Sequence, residues 1–266
     1  MSRLLLIFII KYLCIIQLGC SRSISDAPTA KACSPQLVVQ SHLPNAYQLH
    51  EKVISGGQPD GEAGYRKLSD LGVKTVISVD GAQPQVELAR RHGLRYVHLP
   101  HGYDGVPVDR ARELAKAVRD LPGPIYIQCH HGKHRSPAAA TVACVGAGLL
   151  QGDQALSVLR TAGTSENYQG LYESAQRARR FDNALLNALS VEFAERGEVQ
   201  PMTAAMVAIE HAHDHLSAIQ QAGWESPANH PDLDPPHEAL LLREQFTELL
   251  RTEEVLEEPA EFQTML

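Results

Sequence analysis

The sequence predicts an α/β fold: a mostly parallel sheet flanked by helices, followed by a small all-helical C-terminal region. Three observations predict it. Between Tyr47 and about Ala178, short β-rich runs alternate with amphipathic helical stretches across short connections, the pattern of a parallel sheet with helices packed on it. After about residue 180 the β-rich runs stop and only helical periodicity continues. The 266 residues suffice for one full domain plus a smaller one.

The chain opens on Met1–Arg3, a short positive stretch, then Leu4 to Leu18, apolar apart from Lys11 and Gln17, then Gly19 and Cys20. That order reads as an export leader over residues 1–20. Its small-residue-then-cysteine ending resembles the lipobox of bacterial lipoproteins, in which the cysteine is acylated and becomes the mature N-terminus. Lys11 inside the apolar stretch, and Gln17 where leucine or valine is usual, leave an uncleaved anchor as the alternative. Either reading implies an exported protein of the cell envelope or periplasm, attached to the membrane through a lipid on Cys20 or through the leader. Residues 21–44, rich in Ser, Ala and Pro without a sustained period, are expected to be a tether.

From residue 45 to 180 the elements follow in turn. Lys52–Ser55 is a short strand before the turn at Gly56, Gly57, Gln58 and Pro59. Glu62 to Leu71 carries a helical pattern stopped by Gly72, Lys74–Val79 is a strand, and Gln85 to His92 is helical up to Gly93. Arg95–Leu99 is a further strand, and Asp109–Asp120 a helix ended by Leu121, Pro122 and Gly123. Ile125–Gln128 is the last strand, with a helix from Pro137 to about Leu150 after it. In residues 181–266, Phe181–Arg196, Pro201–Ala222 and His237–Arg251 are helical by period. Met202, Met206, Ile209, His213, Leu216 and Gln220 share one stripe of the second helix, expected to face the core. The acidic stretch Glu253–Glu261 reads as a solvated tail.

A net charge of −7 gives no global pull toward nucleic acid or an anionic membrane surface. Five cysteines occur, Cys14 and Cys20 in the leader and then Cys33, Cys129 and Cys144, with no disulfide-framework spacing. An odd number after the leader implies at least one free thiol. In an oxidising compartment that is a liability unless the thiol has a use.

The chemistry is concentrated in PIYIQCHHGKHRSPAAA, Pro124 to Ala140. The bare spacing of Cys129 and Arg135 means little; the context makes it specific. An apolar strand delivers Cys129, Gly132 lies inside the loop, Ser136 follows the arginine and Pro137 opens a helix. A loop wrapped between strand and helix can turn its N–H groups inward as an anion cradle at the helix's positive end. Gly132 allows a backbone conformation that a side chain would penalise. Arg135 can grip two phosphate oxygens in its planar fork. The same positive surroundings favour Cys129 as a thiolate nucleophile, and the Ser136 hydroxyl can hydrogen-bond its sulfur and later ease its departure from phosphorus. The strand edge where ligands gather in such sheets is the C-terminal one, where Cys129 falls.

These residues, QCHHGKHRS, resemble the signature loop of the cysteine-dependent protein tyrosine and dual-specificity phosphatases, in the compact atypical bacterial branch. The likeness spans roughly residues 45–178 and includes VISGGQP (Val53–Pro59), the strand KTVISV and the stretch YVHLPHGYDGVP. It implies a metal-independent phosphomonoesterase working through a phosphocysteine intermediate and needing no cofactor. Cys129 would be the nucleophile and Arg135 the phosphate clamp, with His130, His131, Gly132, Lys133, His134 and Ser136 completing the phosphate loop. Gln128 departs from the family, where the residue before the cysteine is usually histidine.

Family enzymes protonate the leaving oxygen with an upstream aspartate. Asp104, bracketed by Gly102 and Gly105, is the preferred candidate, suited to a mobile loop. Asp109 is the alternative, with a helix-start reading as cap or first-turn charge. His101 is a spare and His98 is expected to be structural. The expected partner is a phosphorylated protein or a small phosphate ester. The positive rim of His130, His131, Lys133 and His134 leaves room for an inositol polyphosphate. Two other readings stay open. One is a phosphate-binding module without turnover whose helical region docks a partner. The other is a metal site from Cys129, His130, His131 and His134, or from His211 and His215 with His230 or His237. Adjacent ligands seldom converge in tetrahedral geometry and Arg135 would repel a cation, so no metal is expected at the loop.

Overall fold

The computed structural model describes residues 34–199 and 201–265; the leader and Cys33 lie outside them. The sheet strands are β1 (Gln36–Leu37), β2 (Tyr47–His50), β3 (Val53–Gly57), β4 (Thr75–Ser78), β5 (Arg95–His98) and β6 (Ile125–Cys129), in the spatial order β1-β2-β3-β6-β4-β5. β3, β6, β4 and β5 are parallel, as expected, while β1 and β2 pair antiparallel at one edge. β1 falls within the stretch read as a tether, and Leu43 beyond it is buried. A two-residue strand is too short to show a period; its pairing with β2, Gln36 opposite Gln48, is what makes it a strand.

β6 holds the central position, with β3 on one side and β4 on the other, and all five of its residues are buried. A strand covered on both faces needs apolar side chains at every position rather than at alternate ones. Side chains still alternate by face. Ile125, Ile127 and Cys129 join one core cluster with Ile77, Val97 and Leu114, whereas Tyr126 joins the opposite cluster with Tyr65, Leu68 and Tyr96. Cys129 therefore emerges on the same face as Ile127.

The helices are α1 (Gly61–Asp70), α2 (Val86–Arg91), α3 (Val108–Asp120), α4 (Arg135–Ala147), α5 (Ala155–Ala162), α6 (Gln169–Arg177) and α7 (Asn183–Ala188), then α8 (Pro201–Gln221), α9 (Pro235–Leu249), α10 (Glu253–Leu256) and α11 (Ala260–Met265). α4 begins two residues before Pro137, which places Arg135 and Ser136 in its first turn. It ends at Gly148, in the left-handed region at φ 78°. Ala138, Ala139, Ala140 and Ala143 are fully buried, so small side chains seat the helix close against the sheet.

Three further segments differ from expectation. The helix expected over 181–196 covers only α7, and the chain then crosses the free edge of β5. There the His98 N–H donates to the Ala194 carbonyl at 2.9 Å and the Gly197 N–H to His98 Nδ1 at 3.1 Å. A strand edge offers unpaired backbone groups, and satisfying them outweighs the local helical period. The stripe expected to bury on α8 also shifts: Val207, Ile209, Ala212 and Ile219 are the buried residues, while His213 and Met206 are exposed. α8 serves two surfaces, Met202, Ala205 and Ile209 packing toward Phe246 and Leu249 of α9, and Val207 meeting Gly81 of the sheet domain. Finally, the acidic stretch forms α10 and the start of α11, anchored by buried Val255 and by Phe262. No helix among the described residues is long and apolar enough to cross a membrane.

Candidate active site

The loop from Cys129 to Arg135 is wrapped around the ends of β3 and β6. Gly132 has φ 74°, and a Cβ there would come within 2.3 Å of the Gly57 nitrogen. Both the conformation and the space demand glycine. The Gln58 N–H donates to the His130 carbonyl at 3.0 Å, Asn45 donates to the Gly132 carbonyl at 3.0 Å, and the Thr164 hydroxyl to the Lys133 carbonyl at 2.6 Å. Three separate segments thus hold the loop by its carbonyls, which fixes its backbone independently of the side chains that line it.

Cys129 is buried. Its thiol donates to the Ser136 hydroxyl at 3.3 Å, and that hydroxyl donates to the Gly56 carbonyl at 2.9 Å. Gln128 points to the other face of the sheet, where its amide donates to the Tyr96 hydroxyl at 3.2 Å. Its role is therefore to tie β6 to β5 rather than to touch the sulfur. The second thiol, Cys144, is enclosed in α4, and burial pushes its pKa up to about 12. It is packing, not chemistry.

Arg135 is 1% exposed. Its two terminal nitrogens each lie 3.3 Å from an oxygen of Asp80, and Nη2 also reaches Glu210 at 3.2 Å. Its guanidinium carbon lies 4.4 Å from the centre of the Tyr103 ring. Burial alone would lower its pKa; Asp80, Cys129, Tyr103 and Glu210 together outweigh that and raise it. Sequence reasoning missed three of these residues, Asp80, Tyr103 and Glu210. Asp80 follows directly on the strand KTVISV at the ligand edge of the sheet, a position that becomes telling once β4 is known to lie beside β6. Its backbone carbonyl accepts from His98 Nε2 at 2.6 Å, so His98 is structural, as expected, and holds the residue that holds Arg135. Glu210 comes from α8 and had no local signal.

α8 lies across the mouth of the loop. The Glu210 carboxylate accepts from the Tyr103 hydroxyl at 3.1 Å as well as from Arg135, Asp214 lies 2.8 Å from His130 Nε2, and the His211 ring stacks on His130 at 4.3 Å. A carboxylate held by the guanidinium and a phenol occupies the kind of contact a phosphate oxygen makes.

The histidine metal sets named from sequence do not assemble. The Cys129 sulfur is turned to Ser136, while His134 lies among Tyr103 and Tyr168 and accepts from the Ser165 N–H at 3.3 Å. His215 bonds Glu238 of α9 at 2.8 Å, away from His211. Of the loop histidines, only His130 and His131 converge, and they do so on Asp214.

Asp104 is exposed and lines a cavity of about 660 Å³ with His101, Asp109 and Arg110 that includes no residue of the 129–135 loop. Asp109 is 87% exposed and pairs with Arg112 at 2.8 Å; of its two expected helix-start roles it has the second, a charge in the first turn of α3, and its carboxylate caps no backbone N–H among the described contacts. Lys133 is exposed at the rim.

One buried and one half-buried imidazole give a pH expectation. Burial lowers the His101 pKa to about 4, and burial reinforced by His131, Lys133 and Arg135 lowers that of His134 to about 4. In the unfolded chain each binds a proton near the ordinary value of about 6.5. Between those values the unfolded state holds more protons, so stability falls as pH drops from about 6.5 toward 4. Thermal unfolding should show a midpoint steady above pH 7 that declines through this window; a midpoint rising there would contradict the burial of both rings.

No protein-family model and no curated protein matches the sequence. Among solved structures, the chain is similar to P. aeruginosa TpbA at 20% identity and a TM-score of 0.47, over 57% of this chain and 92% of that one. It is likewise similar to the core catalytic domain of the PP-IP phosphatase SIW14 from S. cerevisiae, at 14% identity and a TM-score of 0.43, over 59% of this chain and 92% of that one. Each likeness thus takes in nearly the whole of the other chain and little more than half of this one.

Proposed function

We propose that the protein is a phosphomonoesterase that uses Cys129 as nucleophile and Arg135 as phosphate clamp, without a metal in the chemical step. The observation that carries this reading is the pairing, in one backbone-pinned loop, of a buried cysteine hydrogen-bonded to Ser136 and a buried arginine held by Asp80. Such an arginine is oriented before substrate arrives, which is what stabilising phosphoryl-transfer charge requires. In the first step the sulfur attacks phosphorus, the ester P–O bond breaks and the leaving oxygen takes a proton from an acid. In the second, water attacks phosphorus, the P–S bond breaks, and inorganic phosphate leaves with the thiolate restored. Ser136 stabilises that thiolate as it departs.

The test is hydrolysis of an aryl phosphate by the purified chain with chelator in excess. Turnover that survives chelation and is lost on thiol alkylation supports the reading. Binding of phosphate without turnover would favour a docking module, and turnover abolished by chelator would favour metal chemistry.

Asp104 is proposed as the acid, on a loop whose glycines allow it to swing toward the cysteine. Asp104→Ala should lower kcat for poor leaving groups by about 10²-fold, within the range of general-acid contributions, and hardly at all for activated aryl phosphates, which depart unprotonated. Equal losses for both classes of substrate, or the leaving-group effect appearing in Asp109→Ala instead, would remove Asp104 from this role.

A further inference from the structure

We propose that His130 and His131 of the loop and Asp214 of α8 form a binding site for a divalent transition metal of the zinc class, which ties α8 over the phosphate cradle. Nitrogen or oxygen atoms of these three residues lie within 4.8 Å of one another. His131 Nε2 stands 3.4 Å from Asp214 Oδ2, and His130 Nε2 stands 2.8 Å from the same oxygen. In a tetrahedral zinc site with bonds of about 2.0–2.1 Å, neighbouring ligand atoms are about 3.3–3.4 Å apart. The His131 edge already has that length, and the His130 edge needs to open by about half an ångström. The nearest further carboxylate oxygen is Glu210 Oε1, at 3.5 Å from His131 Nε2. Glu210 is not among the residues whose ligand atoms all lie within 4.8 Å of one another, and it is held by Arg135 and Tyr103, so the fourth ligand would come from solvent.

Charge and chemistry both favour a cation here. Among the described residues Asp214 has no lysine or arginine partner, only histidines. The Arg135 charge, which would otherwise repel a metal, is offset by Asp80 and Glu210. Two imidazoles with a carboxylate select zinc-like metals over magnesium and calcium, which prefer oxygen alone. The site also opens on a cavity of about 650 Å³ lined by His130, His131, Lys133 and Asp214, so an ion has a path in. Because two ligands belong to the loop and one to α8, a bound metal would hold Glu210 against Arg135. Zinc would then close the cradle; this consequence, unlike the site, rests on the function proposed above.

The site is tested by titrating zinc(II) into the full chain carrying Cys129→Ser, which removes the loop thiol as a competing ligand, with magnesium as the control. The expected result is one zinc per chain bound well below micromolar, and affinity weakened at least about tenfold when Asp214→Asn or His131→Ala is added. Circular dichroism establishes that each variant is folded, and if one is not, the other decides. No zinc binding, or affinity in both variants unchanged from that of the parent chain, overturns the site and leaves the cluster as imidazole–carboxylate pairs. In the chain with Cys129 intact, one equivalent of zinc should suppress aryl phosphate turnover, chelator should restore it, and Asp214→Asn should require at least tenfold more zinc. Turnover unaffected by bound zinc would overturn the closure. Absence of turnover at every metal concentration would refute the phosphatase reading while the binding titration still decides the site.

Discussion

Cys129→Ser is expected to lower turnover by about 10⁴-fold or more while phosphate-ester binding stays within a few-fold of the native chain. A serine hydroxyl is nearly the shape of the thiol but ionises far less readily, and among the described residues no histidine is hydrogen-bonded to position 129 as a base. The side chain hydrogen-bonded to it is that of Ser136, whose hydroxyl donates to the Gly56 carbonyl. Binding should persist because the elements proposed to hold phosphate do not depend on the sulfur: the loop backbone is pinned through the His130, Gly132 and Lys133 carbonyls, and Arg135 through Asp80. Stability should change by about 1 kcal/mol or less, since the new hydroxyl inherits Ser136 as a partner. Kinetics with an aryl phosphate, calorimetric titration with a phosphate ester and a thermal melt separate the three quantities. Ordinary turnover by the purified variant would end the proposed mechanism.

Arg135→Lys should reduce kcat/KM by about 10²–10³-fold although the charge is kept. The guanidinium meets both oxygens of Asp80 with its two terminal nitrogens while Nη2 also reaches Glu210. An ammonium is a single point on a flexible stem. It can satisfy Asp80 or face the cradle, but it cannot present two parallel N–H groups to a phosphate while staying anchored behind. The variant also leaves part of a buried network unpaired, so a loss of about 1–3 kcal/mol in stability is expected alongside. Comparing activity well below the variant's melting temperature isolates the chemical effect. Kinetic constants within a few-fold of the native chain would mean that the fork does not grip phosphate.

The two predictions draw on residues that differ in how visible they were before the structure. Cys129, Gly132, Arg135 and Ser136 are contiguous, and their meaning came from the strand before them and the helix after. Local order is legible because strand, loop and helix are each set largely by neighbours in the chain. Asp80 stands 55 residues from Arg135 and could have been suspected from its place just past a parallel strand adjacent to β6. That inference needs the strand order, β4 beside β6, which alternation of strands and helices does not provide. The antiparallel β1 was illegible for a related reason: two residues carry no period.

What the sequence by itself determined was the parallel α/β core, the strand that delivers the cysteine and the composition of the loop. These follow from hydrophobic periodicity and from residue types whose chemistry is local. Only the tertiary structure decided what faces that loop. The periodicity of α8 revealed a helix but not which side would meet α9 and which the cradle, because Ile209 and Glu210 are adjacent in sequence and serve opposite surfaces. One packs toward Leu249 and the other bonds Arg135. The stripe through Met202 and His213 was apolar enough to suggest a core face, yet His213 ended 71% exposed. A helix rotates to satisfy all its contacts at once, and here the ion pairs of Glu210 and Asp214 with the loop weigh with the apolar packing on α9. Such a balance depends on surfaces brought together from more than 70 residues apart, so no window of the chain contains it.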